Sequence, residues 1–265
     1  MEFPASIANR KILTLLFVCL GSVSAACATA QSGQSDKKAQ RVPVLVELFT
    51  SEGCSDCPLA DALLAEIDAK QFAPGAEAIV LSEHVTYWNH LGWRDPFSMD
   101  TMTQRQEAYV RRFGLDSAYT PQMVVDGTSQ FVGSDGRALL SAVNKAATRP
   151  KLALLIENAR WDHDSVRFAV RAKKVLDTKL IAVLAADATR SEVARGENAG
   201  RTLHHTAVVR AMKEMNGTDA DGRMLSLDLG RTQKTAAMDG KTRLVVFAVD
   251  RRTGRVIAAA EQRLQ

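Results

Sequence analysis

Two cysteines three positions apart are the residues of this 265-residue chain whose spacing points most directly to chemistry. Cys54 and Cys57 form a C-x-x-C pair between an apolar run that ends at Phe49 and a helical pattern that begins near Cys57. Two intervening residues at a helix start can bring both sulfurs within disulfide distance. The free N–H groups and dipole of that helix favour thiolate at Cys54, which we expect to be exposed, with Cys57 more buried. The pair predicts thiol–disulfide chemistry.

The flanking elements predict how the pair is positioned. Residues 44–49 read as a strand buried on both faces, and residues 57–67 carry apolar side chains on one helical stripe. The Asp126-Gly127 dipeptide is a hairpin turn signal. The predicted order over residues 43–150 is β-α-β-α-β-β-α. Its later elements are a strand at 78–81, a helix at 99–112, short strands at 123–125 and 131–132, and a helix at 137–147.

The pattern changes after Pro150. Short strand-like segments separated by turn signals predict a mainly antiparallel β domain, either a sheet or a sandwich, over residues 151–265. The stretch 191–215 interrupts this pattern, and we expect it to be partly helical or a long loop.

The N-terminus carries the pattern of a targeting segment. Arg10 and Lys11 precede a short apolar run at 12–20, and an Ala-x-Ala-like site follows, so residues 1–30 are predicted to be a secretory signal peptide and 31–42 a flexible linker. The run is too short to span a bilayer. A lipid anchor at Cys27 is the less favoured alternative, because Ser24 stands where acylation sites usually have a large aliphatic residue. We expect a periplasmic or secreted protein, in a compartment where disulfides persist.

The composition excludes several classes. Apolar residues make up 46% and charged residues 24%, which is typical of a globular protein rather than a disordered chain or a fibre. The formal net charge of +4 comes with no dense Lys/Arg stripe, so no nucleic-acid partner is expected. No segment of the mature chain is long and apolar enough to predict a membrane span.

The segment 43–150 resembles the thioredoxin superfamily in its β-α-β-α-β-β-α order, its C-x-x-C pair and its Thr120-Pro121 dipeptide. The resemblance implies that Pro121 is a cis-proline facing the dithiol and that Thr120 and Pro121 help to bind a substrate strand. It also implies that Glu47, the one acid in the first strand, takes the proton of Cys57. Glu47 lies one residue further from the cysteines than the thioredoxin acid, and an ordinary salt bridge is the alternative.

Longer strings resemble a bacterial secreted family catalogued as domain of unknown function 1223. The resemblance continues into the C-terminal half and covers nearly the whole mature chain, but the family supplies no reaction. The strings lie at residues 46–54, 84–88, 91–93, 119–125, 196–198 and 203–205.

An aromatic loop follows the second strand and supplies further candidates. His84 stands at the carboxyl end of that strand, where open α/β sheets place ligands, and Trp88 and Trp93 follow it. The loop either covers the dithiol or forms a substrate groove, or it is a small core under a long loop. The pair His204-His205 with Glu197 has too few ligands to predict a metal site.

These observations favour an exported thiol–disulfide oxidoreductase that acts on protein or small-molecule thiols without an organic cofactor. Cys54 attacks, Cys57 resolves the mixed disulfide, and Pro121 docks the substrate. Two alternatives remain open. The same cysteines can carry Cu(I), aided by His84, or the chain can be a non-catalytic binding module in which Cys54–Cys57 is a structural disulfide.

Overall fold

The computed structural model describes residues 41–173, 177–229 and 241–264. The predicted signal peptide and residues 31–40 of the predicted linker lie outside this range. The last two linker residues belong to the folded unit. Arg41 donates hydrogen bonds from Nη2 to the carbonyl oxygens of Gln71 and Ala73, and Val42 begins the first strand. Within the described part of the chain, no helix combines the length and apolar character needed to cross a membrane.

The first half of the chain follows the predicted order of helices and strands. Helix α1 starts at the second cysteine, with a proline in its first turn, where the missing N–H costs no hydrogen bond. Asp135 caps α3, since its side chain accepts hydrogen bonds from the N–H groups of Arg137 and Ala138. The elements are β1 (Val42–Thr50), α1 (Cys57–Lys70), β2 (Ala76–His84), a 3₁₀ turn (Asn89–Leu91), α2 (Asp100–Phe113), β3 (Gln122–Val125), β4 (Ser129–Val132) and α3 (Gly136–Ala147).

The second half consists mainly of strands. The expectation of a helix or long loop at 191–215 is wrong for most of that stretch, because residues 202–216 form a long strand. Buried Arg210 and the positive φ of 52° at Ala207 break the two-residue alternation that would have revealed it. The strands are β5 (Leu154–Asp162), β6 (Ser165–Ala172), β7 (Thr178–Glu192), β8 (Thr202–Asn216), β9 (Asp221–Asp228), β10 (Thr242–Asp250) and β11 (Val256–Leu264).

One mixed sheet of eight strands runs through both halves, in the order β11-β10-β7-β8-β2-β1-β3-β4. The β1–β2 pair is parallel, as a crossover through α1 requires. Strand β8 joins the free edge of β2 through a parallel bridge between Ser82 and Val208. The boundary predicted at residue 150 therefore does not separate two sheets, and the described residues on both sides of it belong to one compact unit.

The remaining strands β5, β6 and β9 form a separate antiparallel sheet. Its buried side chains, such as Phe168, share a core with Leu180, Leu184 and Val246 of the large sheet. The expectation of antiparallel pairing is thus confirmed for the pairs that strands β5 to β11 form with one another, but not for the parallel pair of β8 and β2. The sandwich expectation holds only for the three-stranded sheet and the face of the large sheet that it covers.

Strand β1 presents alternate side chains to α1 and α2. Thr50 contacts α1 through a hydrogen bond from its hydroxyl to Asp61 Oδ2, at 3.3 Å. Phe49 points the other way and packs edge-on against Tyr109 of α2, with ring centroids 5.8 Å apart. Because successive strand side chains alternate, Leu48 lies on the α1 side and Glu47 on the α2 side.

Candidate functional site

The cysteines form a disulfide where β1 gives way to α1. Cys54 and Cys57 are bonded, with Cα atoms 5.4 Å apart. The backbone is held in tight turns, because Cys54 N–H donates to the Ser51 carbonyl and Cys57 N–H donates to the Cys54 carbonyl. Cys57 is the first residue of α1, so the bond lies at the positive end of the helix dipole.

Neither cysteine is open to solvent. The expectation that Cys54 is exposed is wrong, since Cys54 is 1% exposed and Cys57 is 0% exposed. A segment between β7 and β8 reaches over the turn. The Asn198 amide Nδ2 donates hydrogen bonds of 2.9 Å to the carbonyl oxygens of Glu52 and Cys54. Glu197 Oε2 accepts a 2.9 Å hydrogen bond from the N–H of Ser55. We call residues 196–198 the clamp.

The proline implied by the thioredoxin resemblance lies against the same helix. The Thr120–Pro121 peptide bond is cis. Gly133 lies between side chains so close to it that an added Cβ would stand 2.9 Å from Pro121 Cβ and 3.0 Å from Cβ of Ala60, which is one helical turn after Cys57. Pro121 therefore packs beside the first turn of α1.

Trp88 connects the proline to the disulfide turn. Its ring Nε1 donates a 2.7 Å hydrogen bond to Thr120 Oγ1, and its Cβ lies 3.1 Å from where a Cβ on Gly53 would be. Trp88 and Tyr87 also pack against the small core of Phe49, Val85, Tyr109 and Val124. The aromatic loop thus forms a small core, as one of the alternative predictions had it, and it also borders the disulfide turn.

Trp93 lies on the other side of the turn and contacts an ion pair. Its Nε1 donates a 2.8 Å hydrogen bond to Glu52 Oε2. The second oxygen of Glu52 lies 3.2 Å from His205 Nε2, and Asp61 Oδ2 lies 3.5 Å from His205 Nδ1. Burial alone would lower the pKa of His205, but the carboxylates of Asp61 and Glu52 outweigh it and raise the pKa to about 10. His205 is therefore an imidazolium at neutral pH.

His84 lies behind this pair rather than in a groove. It is 1% exposed, and its ring packs edge-on against His205 with centroids 4.6 Å apart. Its Nδ1 donates to Asp95 Oδ2 at 2.7 Å. Burial alone would raise the pKa of Asp95, but His84 and the N–H groups of Glu52 and Phe97 hold it below its usual value. His84 cannot reach a substrate at the surface, so its place is in the supporting network.

Glu47 lies away from the disulfide. It is fully buried on the α2 side of β1, where it pairs with Arg105 and accepts a 2.6 Å hydrogen bond from the hydroxyl of Tyr109. Cys57 and α1 are on the other side. Burial also raises the pKa of neighbouring Glu83 well above its usual value, although Arg105 opposes this. The proton-acceptor role implied for Glu47 does not fit this placement, and the salt-bridge alternative does.

Sequence reasoning did not bring together three residues of the network around the disulfide turn: Asp61, Asn198 and His205, of which His205 was considered only as a metal ligand. The spacing of Asp61, four positions after Cys57 on one helix, was a signal that could have been used. Asn198 and His205 lie more than 140 positions from the cysteines, and no local pattern links them to the site. Within the described ranges, no group of three or more His, Cys, Asp or Glu side chains has the arrangement of a metal site.

Comparisons with known proteins identify relatives without a described reaction. The sequence profile of a family described as "Protein of unknown function (DUF1223)" matches residues 45–249. The crystal structure of protein AGR_C_4864 from Agrobacterium tumefaciens is similar with a TM-score of 0.58 and 24% identity, covering 84% of this chain and 94% of that one. OgpA from Akkermansia muciniphila aligns over 86% of this chain and 64% of its own, with 10% identity and a TM-score of 0.25. No curated protein matches.

Proposed function

Because this chain belongs to the family described as "Protein of unknown function (DUF1223)", whose description names no reaction, we propose a function from the site itself: an exported thiol–disulfide oxidoreductase. The observation that carries the proposal is the Cys54–Cys57 disulfide at the start of α1, with cis-Pro121 packed beside the first turn of that helix. This arrangement supports thioredoxin-like thiol–disulfide chemistry in the segment 43–150. The signal-peptide pattern of residues 1–30 supports export to a compartment where a disulfide persists.

The reaction is an exchange of two electrons between this disulfide and a substrate dithiol. A substrate thiolate attacks Cys54 Sγ, the Cys54–Cys57 bond breaks, and Cys57 leaves as a thiolate that takes up a proton. The second substrate thiolate then attacks the substrate sulfur of the mixed disulfide and releases Cys54 as a thiolate. The substrate is oxidised to a disulfide and the protein is reduced to a dithiol. The same steps in reverse reduce a substrate disulfide.

Access to Cys54 requires the clamp to move. Asn198 holds the carbonyl of Cys54 and Glu197 holds the N–H of Ser55, and with these contacts made Cys54 is 1% exposed, which leaves no room for a substrate sulfur to reach it. Thr120, Trp88 and Trp93 surround the turn and are the surfaces that a docked substrate meets once the clamp is displaced.

A second candidate function is favoured by the burial of both sulfurs. A disulfide that is 1% and 0% exposed and held by three hydrogen bonds can serve as a permanent link in a binding module. A closed loop this short constrains the unfolded chain little, which limits what such a link contributes to stability. No observation of the site favours the Cu(I) alternative.

The two functions differ in how readily the disulfide exchanges. The protein is equilibrated with glutathione buffers of known potential, quenched in acid and alkylated, and the oxidised fraction is read by mass. An exchange-active pair is expected to be half-reduced in a buffer whose potential is above about −300 mV. A structural disulfide is expected to stay oxidised even when the buffer potential is more negative than that. In the exporting cell, a Cys57→Ser variant is expected to accumulate mixed disulfides that a Cys54→Ser/Cys57→Ser variant does not form. If the cysteine pair stays oxidised and captures no partner, the oxidoreductase proposal is wrong and the binding module is the function that remains.

A further inference from the structure

A buried ion-pair cluster joins the two chain segments that flank the disulfide. Its centre is His205, whose two ring nitrogens face Glu52 Oε1 at 3.2 Å and Asp61 Oδ2 at 3.5 Å. All three side chains are buried, with Asp61 at 5% exposure and Glu52 at 0%. Glu52 precedes Cys54 by two positions, and Asp61 follows Cys57 by four. The cluster therefore touches both chain segments that carry the cysteines.

Asp61 lies on the same face of α1 as Cys57. Residues four apart on a helix have Cβ atoms about 5–6 Å apart, so the Asp61 side chain starts one helical turn from Cys57, close enough for its carboxyl group to reach the Cys57 sulfur. The two oxygens of Asp61 differ in their surroundings. Oδ2 accepts the Thr50 hydroxyl and faces His205, while Oδ1 is buried without a hydrogen-bond partner among the described residues. A buried carboxylate oxygen without a donor is costly unless a donor is present in another state of the protein.

The reduced protein supplies that donor. When the disulfide is opened, Cys57 becomes a buried thiol whose S–H can donate to a nearby acceptor. We propose that Asp61 Oδ1 accepts the proton of the Cys57 thiol as Cys57 resolves the mixed disulfide, with His205 as the positioning residue that holds the Asp61 carboxylate. This assignment rests on the proposed oxidoreductase function and names the acid–base group of that site.

The step balances as follows. In the mixed disulfide, Cys54 Sγ is bonded to a substrate sulfur and Cys57 is a thiol. The Cys57 proton moves to Asp61 Oδ1, and the resulting thiolate attacks Cys54 Sγ. The Cys54–Cys57 bond forms, the bond to the substrate breaks, and the substrate leaves as a thiolate. Asp61 then returns its proton to that thiolate through solvent. Two electrons pass from the protein dithiol to the substrate disulfide.

Other charged groups surround the cluster from each neighbouring element. His84 of β2 packs on His205 and is bonded to Asp95 of the aromatic loop. The guanidinium of Arg210, on β8, lies 5.3 Å from the centroid of the Phe97 ring, which also packs on His205. His205 thus faces the carboxylates of Glu52 and Asp61, while Arg210 interacts with the carboxylate of Asp95.

The test separates attack by Cys54 from resolution by Cys57. The reduced protein reacts with dithiobis(nitrobenzoate), which releases one coloured thiolate when Cys54 forms the mixed disulfide and a second when Cys57 resolves it. Stopped-flow absorbance follows both releases. Asp61→Asn and His205→Gln are compared with Glu66→Gln, an exposed acid-to-amide change on the same helix. Each is also made with Asn198→Ala, so that slow opening of the clamp does not mask the second release.

Asp61→Asn is expected to slow the second release at least about tenfold and to change the first less than about twofold, while Glu66→Gln changes neither. His205→Gln is expected to slow the second release less than Asp61→Asn does. An unchanged second release in Asp61→Asn overturns the role of Asp61 and leaves the oxidoreductase intact. If neither the wild-type protein nor Asn198→Ala gives a first release, the oxidoreductase function itself is contradicted.

The pH profile of the Asn198→Ala protein, in which slow opening of the clamp does not mask the second release, gives an independent measurement that also applies if Asp61→Asn fails to fold. With an internal acceptor, the second release is expected to vary less than about threefold between pH 6 and 8, because the proton does not go to solvent. Without one, ionisation of a thiol of ordinary pKa near 8.5 makes the rate rise about tenfold per pH unit. A tenfold rise overturns the proposal.

If Asp61→Asn does not fold, Asp61→Ser takes its place. Restoration of the second release of Asp61→Ser by added formate supports the proposal.

Discussion

Asn198 donates a 2.9 Å hydrogen bond from its side-chain amide to the backbone carbonyl of Cys54, across 144 positions of sequence. The same amide donates to Glu52, so one side chain holds both ends of the turn that precedes the disulfide. The C-terminal half of the chain therefore covers the backbone of the turn that carries Cys54.

The clamp makes a direct prediction about access. Asn198→Ala removes both hydrogen bonds, and we expect the disulfide to be reduced by a water-soluble phosphine at least about tenfold faster. Asn144→Ala, an exposed change on α3, is the matched control and is expected to have no effect. Equal rates for all three proteins would show that residues 196–198 do not limit access. The measurement is alkylation of the freed thiols followed by mass spectrometry.

His205 predicts how stability depends on pH. Its folded pKa of about 10 is raised above its ordinary value of 6.5, so its stabilising contribution is fully present below pH 6.5 and is lost as the pH rises through 10. Between these values the folded state keeps a proton that the unfolded state has released. The free energy of unfolding is then expected to fall by up to about 1.4 kcal/mol per pH unit from this group.

His205→Gln removes that contribution. Urea unfolding of the oxidised protein at pH 6, 8 and 9.5 is expected to show a steeper loss of stability in the wild type than in His205→Gln. His204→Gln is the matched control, since His204 is exposed on the neighbouring position of β8, and its curve is expected to follow the wild type. Parallel curves for wild type and His205→Gln would contradict the assignment of His205 as a buried cation.

The buried pair of Glu47 and Arg105 predicts a large loss of stability that leaves the chemistry unchanged. Arg105→Ala leaves the Glu47 carboxylate buried without its cation, which is expected to cost about 3–5 kcal/mol. Arg111→Ala removes an exposed pair with Glu107 and is expected to cost less than about 1 kcal/mol. Denaturant unfolding measures both. If Arg105→Ala remains folded and loses thiol exchange, Glu47 and Arg105 act at the site after all.

Gly133 predicts how tightly Pro121 is packed. An added Cβ there would lie 2.9 Å from Leu48 Cδ1 and from Pro121 Cβ, so Gly133→Ala overpacks the space between β1, Pro121 and α1. We expect a loss of about 1–3 kcal/mol in unfolding free energy. Gly136→Ala is the control, because its nearest neighbour would be 3.7 Å away. A neutral Gly133→Ala would mean that Pro121 is loosely held.

Local pattern sufficed for the first half of the chain and for the cysteine pair. The apolar run of β1, the stripe of α1 and the Asp126-Gly127 turn each depend on neighbours within a few residues, and the structure has them where the sequence predicts. The pairing of β8 with β2 depends on one bridge between residues 126 positions apart, which no local signal encodes. Burial of Cys54 and the cluster around His205 follow from that pairing, so neither was predictable.

Strand β8 completes the edge of β2, and this has a consequence for the growing chain. Both cysteines are synthesised well before residues 196–205, so they are unshielded until the hairpin of β7 and β8 docks. A fragment that stops near residue 150 would expose the unpaired edge of β2 and an uncovered pair of thiols. An exposed strand edge promotes aggregation, and uncovered thiols can form incorrect disulfides. The order of synthesis thus opens an interval, before the final strand pairing, in which oxidants reach the cysteines more readily than in the folded protein, where both are buried.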